Sequence, residues 1–240
     1  MKKQILFFLL TVLSLLGYSQ IPYDTITFEK HANMIAIDTS EKNNVWQIGR
    51  PQKAFMDSAY SGPYAIITDT VNSYPVNNKS SFQLMIPLRY GLPWSNCNVP
   101  VINMWSKFDM DSAKDGGFIY FSTDKGKNWH NLYYYGVMVT FPYKLVNGDS
   151  AVVTGRNAGW SRINLHFRWN FSSSPGYNYL SGDTVLMKFE FRSDSINTNK
   201  EGWMIDDISF DYDFCEGIDE HNQPQAQLSI YPNPANTVTE

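Results

Sequence analysis

Cysteine and histidine are scarce in this 240-residue chain, which holds two Cys and four His. His31, His130, His166 and His221 are scattered, with no HExxH pair and no His/Cys cluster at zinc-ligand spacing, so a zinc hydrolase has no support. No GxSxG elbow, P-loop or GxGxxG occurs either, which leaves serine-hydrolase and nucleotide chemistry without a motif. The 19 basic residues are outnumbered by 23 acidic ones and form no stripe, so nucleic acid is not an expected partner. No long stretch keeps a helical apolar period. The one long apolar run, Ile5 to Leu16, follows Lys2 and Lys3 and gives way to small and polar residues. It reads as a secretory signal peptide over residues 1–19, with Gly17 and Ser19 at the small-residue positions and cleavage before Gln20. It is short for a membrane span, and a retained signal anchor is the alternative. The mature chain then carries no transmembrane segment, and losing Lys2 and Lys3 makes it more acidic.

Aromatic residues are plentiful at 15%, and they favour pleated, half-buried surfaces. Period-two alternation recurs at Gly117 to Ser122, Val185 to Phe191 and Met204 to Phe210. Leu84 to Leu88, Ile163 to Phe167 and a strand from Trp46 that ends at Pro51 read the same way. Asp124-Lys125-Gly126-Lys127 and Asn147-Gly148-Asp149 are tight connections of hairpin type. Regular strands with such turns predict an all-β, antiparallel two-sheet β-sandwich. In an oxidising compartment, Cys97 and Cys215 form a disulfide or remain two separately buried thiols.

Two segments, Asp115 to Trp129 (DGGFIYFSTDKGKNW) and Gly202 to Phe210 (GWMIDDISF), resemble signatures of the MAM-like, jelly-roll ectodomains of secreted bacterial proteins. The likeness runs from about Ile26 to Phe210 and includes Phe28-Glu29, Trp46 to Pro51, Ser61-Gly62 and Ser193-Asp194. It implies a jelly-roll module over residues 20–214 that is itself non-catalytic. Residues 215–227 are polar, aperiodic linker. Leu228 to Asn236 (LSIYPNPAN) resembles the opening of the C-terminal sorting domain of type IX secretion, so residues 228–240 read as the start of that domain. The resemblance implies the type IX machinery as a partner and a secreted or outer-membrane-surface location. That family continues for further strands, so the sequence is expected to be a fragment or to carry an incomplete signal.

Asp206 and Asp207 interrupt an otherwise apolar strand, and adjacent residues face opposite sides, so one carboxylate is expected to point inward and to need a cation, hydrogen bonds or a proton. Modules of the resembled kind often join first and last strands through calcium. That implies a structural calcium on Glu29 with Asp206 or Asp207, completed by main-chain oxygens. The alternative has Asp207 capping amides at a bulge and Asp206 solvated.

Trp129, Tyr133, Tyr134, Tyr135 and Trp160 offer flat apolar faces to sugar rings, with Trp129, Tyr134 and Trp160 the selected ligand contacts. Read as a strand, the tyrosine run places Tyr133 and Tyr135 on one face and Tyr134 on the other. Carbohydrate or glycoprotein binding by a secreted or surface adhesion module is the expected function. A hydrolase using a carboxylate pair, such as Asp194 with Glu201 or Glu190 with Asp206, is the alternative. A purely architectural accessory domain is a third reading. Asp followed by Ser or Thr and a small or aliphatic residue recurs, which resembles an O-glycosylation motif of Bacteroidetes-type secreted proteins. That likeness implies acceptors at Ser58, Thr70, Ser112, Ser150, Thr184 and Ser195, whereas turns leading into strands explain the same pattern.

Overall fold

The computed structural model describes residues 25–29, 32–41, 43–86, 98–122, 124–135, 137–140, 143–166 and 185–214. The signal segment, Cys97, Cys215, Thr184, the linker and the sorting segment lie outside the described residues. Thirteen strands follow in order: β1 (Ile35–Ile37), β2 (Trp46–Gly49), β3 (Ala65–Thr68), β4 (Lys79–Ile86), β5 (Asn98–Asp109), β6 (Gly116–Ser122) and β7 (His130–Asn131), then β8 (Met138–Val139), β9 (Lys144–Val146), β10 (Asp149–Ala151), β11 (Ser161–His166), β12 (Val185–Arg192) and β13 (Gly202–Phe214). Helix among the described residues is confined to two 3₁₀ turns, Ala32–Met34 and Leu132–Tyr135.

Alternation decides how the strands stack. Met187, Phe189 and Phe191 of β12 are buried in the core, while Lys188 between them and Arg192 after them reach the outer side. One sheet has the order β1-β4-β12-β6-β7, the other β2-β3-β13-β5-β11-β8, and β9 and β10 form a separate hairpin. Every pairing is antiparallel. The result is the expected two-sheet β-sandwich with jelly-roll crossovers. Both expected hairpin turns form: Lys125 and Gly126, like Asn147 and Gly148, take positive φ in succession, the backbone that a type I′ turn demands.

Rings from both sheets fill the gap between them. The fully buried Trp203 lies 5.7 Å from Trp46 and 6.1 Å from Phe189, and Phe82 stacks on Phe189 at 4.7 Å. Burying an indole requires a partner for its N–H, and Nε1 of Trp203 donates to Ser106 Oγ at 2.7 Å. The paired glycines of Asp115-Gly116-Gly117 serve two neighbours: a β-carbon on Gly117 would overlap Trp203, and one on Gly116 would crowd Val146 and Ala151 of the β9–β10 hairpin. Asp115 itself is buried, with Tyr74 donating its hydroxyl and Asp194 its amide.

The start of the described chain joins the last strand. Ile26 and Ile208 exchange two backbone hydrogen bonds, at 2.8 and 3.1 Å, beside the register shift between Asp206 and Ser209. The tyrosine run is corrected by the structure: Leu132–Tyr135 is a 3₁₀ turn rather than a strand, so two-fold alternation does not sort those rings. Asn131 Oδ1 accepting from the Tyr133 amide helps to start that turn.

Candidate functional site

The two outer sheet faces differ. On the six-stranded sheet, the connection between β2 and β3, residues 50–64, folds back as a strap and buries Met56 against Ala65, Ile67 and Met204. Polar groups pin it. Lys53 Nζ donates to the carbonyls of Thr68 and Glu201, both at 2.6 Å, and the Glu201 carboxylate accepts from the amides of Phe55 and Met56. Lys53 is only 7% exposed, and that burial pushes its pKa down to about 8 against the pull of Asp69 and Glu201.

The acidic pair of the closing strand secures the far end of the strap. Asp206 Oδ2 accepts from the amides of Tyr60 (2.9 Å) and Ser61 (3.0 Å), and Oδ1 from Asp207 N (2.8 Å). Burial pushes Asp206 up to about 7 even though these amides favour its charged form. Asp207, at positive φ, accepts the Ser61 hydroxyl at 2.6 Å. Glu29 Oε1 accepts from Tyr64 N at 2.8 Å, and its carboxylate lies directly over Gly62. All three acids therefore meet the one turn, residues 60–64. The alternative reading had the two aspartates reversed: the buried Asp206 caps amides, and Asp207 is the half-exposed one. The donors fit calcium in chemistry, being carboxylate and hydroxyl oxygens. In this arrangement Asp206 and Glu29 accept from amides and Asp207 from the Ser61 hydroxyl, and no group of three or more His, Cys, Asp or Glu at metal-holding range occurs among the described residues.

The five-stranded sheet has an outer face that is open over β1 and β4 and covered by the β9–β10 hairpin at the β6 end. Its register lines up one row across all five strands: Ala36 opposite Gln83, Gln83 opposite Lys188, Lys188 opposite Tyr120, and Tyr120 opposite Asn131. At ~4.8 Å per strand this row is roughly 19 Å long. Met85, 47% exposed, and the exposed Ala36 mark the open part on β1 and β4, whereas at the β6 end the β9–β10 hairpin covers the face, burying Phe118 against Val146 and Ala151. Trp129, delivered by the turn at Lys125-Gly126, stands beside the row. The Lys188 ammonium lies 5.0 Å from its ring centroid and 4.9 Å from that of Tyr120.

Ion pairs beside the row, on the same face, hold its orientation. Glu190, 2% exposed, accepts from Arg192 Nε at 2.6 Å and pairs with Lys188 Nζ at 3.4 Å. Arg192 reaches on to Asp149 (2.9 Å) and to the Tyr120 hydroxyl, which donates to Asp149 at 2.9 Å. Burial opposes ionisation of Asp149, yet the hydrogen bonds from Tyr120, Ser150 and Arg192 hold it below the ordinary carboxylate range. Asn131 Nδ2 completes the network on Ser150 O and Asp149 Oδ1.

The selected ligand contacts are not brought together. Trp129 belongs to the open face, whereas Trp160 packs on the opposite sheet with Tyr60 and the strap. Tyr134 lies in the 3₁₀ turn, its side chain outside the described residues. Gln83, Lys188, Tyr120 and Asn131 were missed: the alternation of β12 marks Lys188 as outward, but only the register shows its neighbours. Glu190 and Asp206 sit on outer faces of opposite sheets, so they cannot flank one glycosidic bond. Of the acceptor positions, Ser58, Ser112 and Ser195 are exposed. Thr70 is half-buried with its hydroxyl on Gln47, and Ser150 is buried. Asp69 and Asp194 each accept from the amide two residues on, which makes Asx turns of two of the motifs.

No protein-family model matches the chain, and no curated protein matches it in sequence. Among solved structures, it is similar to the arabinose-bound α-L-arabinofuranosidase MgGH51, with TM-score 0.41 and 12% identity over 79% of this chain and 26% of that one. It is also similar to TmCBM27, a carbohydrate-binding module that recognises mannan, with TM-score 0.31 and 9% identity over 79% and 95% of the two chains. A third likeness is to the promiscuous carbohydrate-binding modules of the β-sandwich superfamily, with TM-score 0.35 and 9% identity over 78% and 61%. The chain spans about a quarter of the first of these. With every TM-score below 0.5, the architecture rests on its own strand register.

Proposed function

We propose that the protein is a non-catalytic module that binds carbohydrate, free or on glycoprotein, on the outer face of the five-stranded sheet. The observation that carries this is the row Gln83, Lys188 and Tyr120 beside the partly exposed Trp129. A sugar presents an apolar face of C–H groups with hydroxyls around its edge. Trp129 suits the first, and the Gln83 amide, the Lys188 ammonium and the Tyr120 phenol suit the second. The network beside them fixes these groups before binding, which lowers the ordering cost. Migration of the native protein through gels containing mannan, xylan, a cellulose ether or a mucin-type glycoprotein tests the reading. Retardation by at least one, without release of sugar, is the expected result. Migration unaltered by all four would end it.

A structural calcium on Glu29, Asp206 and Asp207 belongs to the same proposal, supported by their convergence on the turn at residues 60–64. So do export through the type IX machinery to a secreted or surface location, a Cys97–Cys215 bridge, and glycans on the exposed Ser58, Ser112 and Ser195. Intact mass of the exported protein, alkylated with and without reductant, reads cleavage after Ser19, glycan mass and the bridge together. A bare, uncleaved chain that alkylates equally in both conditions would remove all three.

A further inference from the structure

On the half of the six-stranded sheet beside the strap, the register places Arg162 of β11 opposite Trp105 of β5, and Trp105 opposite Asp206 of β13. Asp206 holds the amide of Tyr60, which brings the Tyr60 ring down onto Trp105: the centroids are 4.0 Å apart and the planes 14° from parallel. Trp160 meets Tyr60 edge-on at 5.7 Å. Tyr60 nevertheless stays 42% exposed. A ring stacked this closely, with its backbone tied to a buried carboxylate, is a rigid apolar plate with one part open to solvent.

We infer that Tyr60, Trp105 and Trp160 form a second carbohydrate platform, on the sheet opposite the Trp129 face, which makes the module two-sided. Its ligand class is an uncharged or weakly anionic oligosaccharide. Lys107 beside the rings is already paired with Asp57 at 3.4 Å, and the exposed Arg162 has no ion pair among the described residues, so the rim offers hydrogen bonds and one spare cation without a strong field. Asp206 is a positioning residue here, touching the ligand only through Tyr60. The inference takes its ligand class from the function proposed above and shares none of its ligand-contacting residues.

The two platforms separate by nuclear magnetic resonance of the ¹⁵N-labelled protein, with indole N–H signals assigned through single Trp→Phe variants. The titrant is a mixture of cello-, xylo-, manno- and chitohexaose at millimolar concentration. The Trp105 and Trp160 signals are expected to move along a saturation curve that the Trp129→Ala variant keeps. Tyr60→Ala should weaken that curve about tenfold, the loss expected of one stacked ring, while the Trp129 curve stays in place. The dispersed amide spectrum of Tyr60→Ala reports that it remains folded. Movement at Trp129 alone would overturn this inference and leave the open-face site standing. Movement at Trp105 and Trp160 alone would do the reverse, and no movement at any indole would overturn both.

Discussion

At the scale of single residues, Lys53 is the least expected side chain. An ammonium under a loop, held by two carbonyls, is charged where charge is costly, and nothing in Gln52-Lys53-Ala54 announces it. Its folded pKa of about 8 lies below the unfolded 10.5, so between these values the unfolded chain holds more protons and stability rises with pH. Below pH 8 the cost is about 3 kcal/mol. Relative to Lys53→Met, the wild-type protein should therefore gain about 2 kcal/mol between pH 7 and 9.5, read from urea midpoints. Parallel curves for the two proteins would contradict this. The buried glycines and acids were partly legible. Asp115-Gly116-Gly117 reads as a close approach, but that the neighbour is Trp203 depends on a strand some 85 residues away, and local sequence carries no such information.

At the scale of elements, β2, β6, β11, β12 and β13 were visible in their alternation, β4 was placed late, as Leu84 to Leu88 against the observed Lys79–Ile86, and β5 was not seen. Its residues include Pro100, Asn103, Ser106 and Lys107, and it lies between β13 and β11, with both its core-side residues and Asn103 and Lys107 buried. A strand buried on two sides loses the two-fold pattern. The tyrosine run failed for the opposite reason: three like rings mimic a strand, and a local side-chain bond from Asn131 turns the backbone instead. The strap was hidden because its anchors, Glu201 and Asp206, lie far along the chain. Asp206→Ala removes the acceptor of three amides at once. Hydrogen exchange at Tyr60 and Ser61 is expected to lose its protection while the β12 amides keep theirs. Protection unchanged at Tyr60 would show that the strap is held by something else.

At the scale of the whole molecule, both sheets close on one aromatic core, and the start of the described chain is tied to its last strand. The described chain is held there by the Ile26–Ile208 pair and by the three acids around the turn at residues 60–64. If calcium joins those acids, a chelator should lower the melting temperature by several degrees, since about 1 kcal/mol shifts a domain of this size by roughly 2–4 °C. An unchanged midpoint, with no metal in the purified protein, would remove calcium. The fold leaves one sheet face strapped and the other covered only at its β6 end by the β9–β10 hairpin, and the latter carries the ordered polar row. Titration calorimetry with the most retarding of the tested glycans, on wild type and on Trp129→Ala, tests that assignment most directly. The account predicts binding by the wild type and affinity at the open face about tenfold lower in the variant. Equal binding isotherms for the two proteins would contradict it.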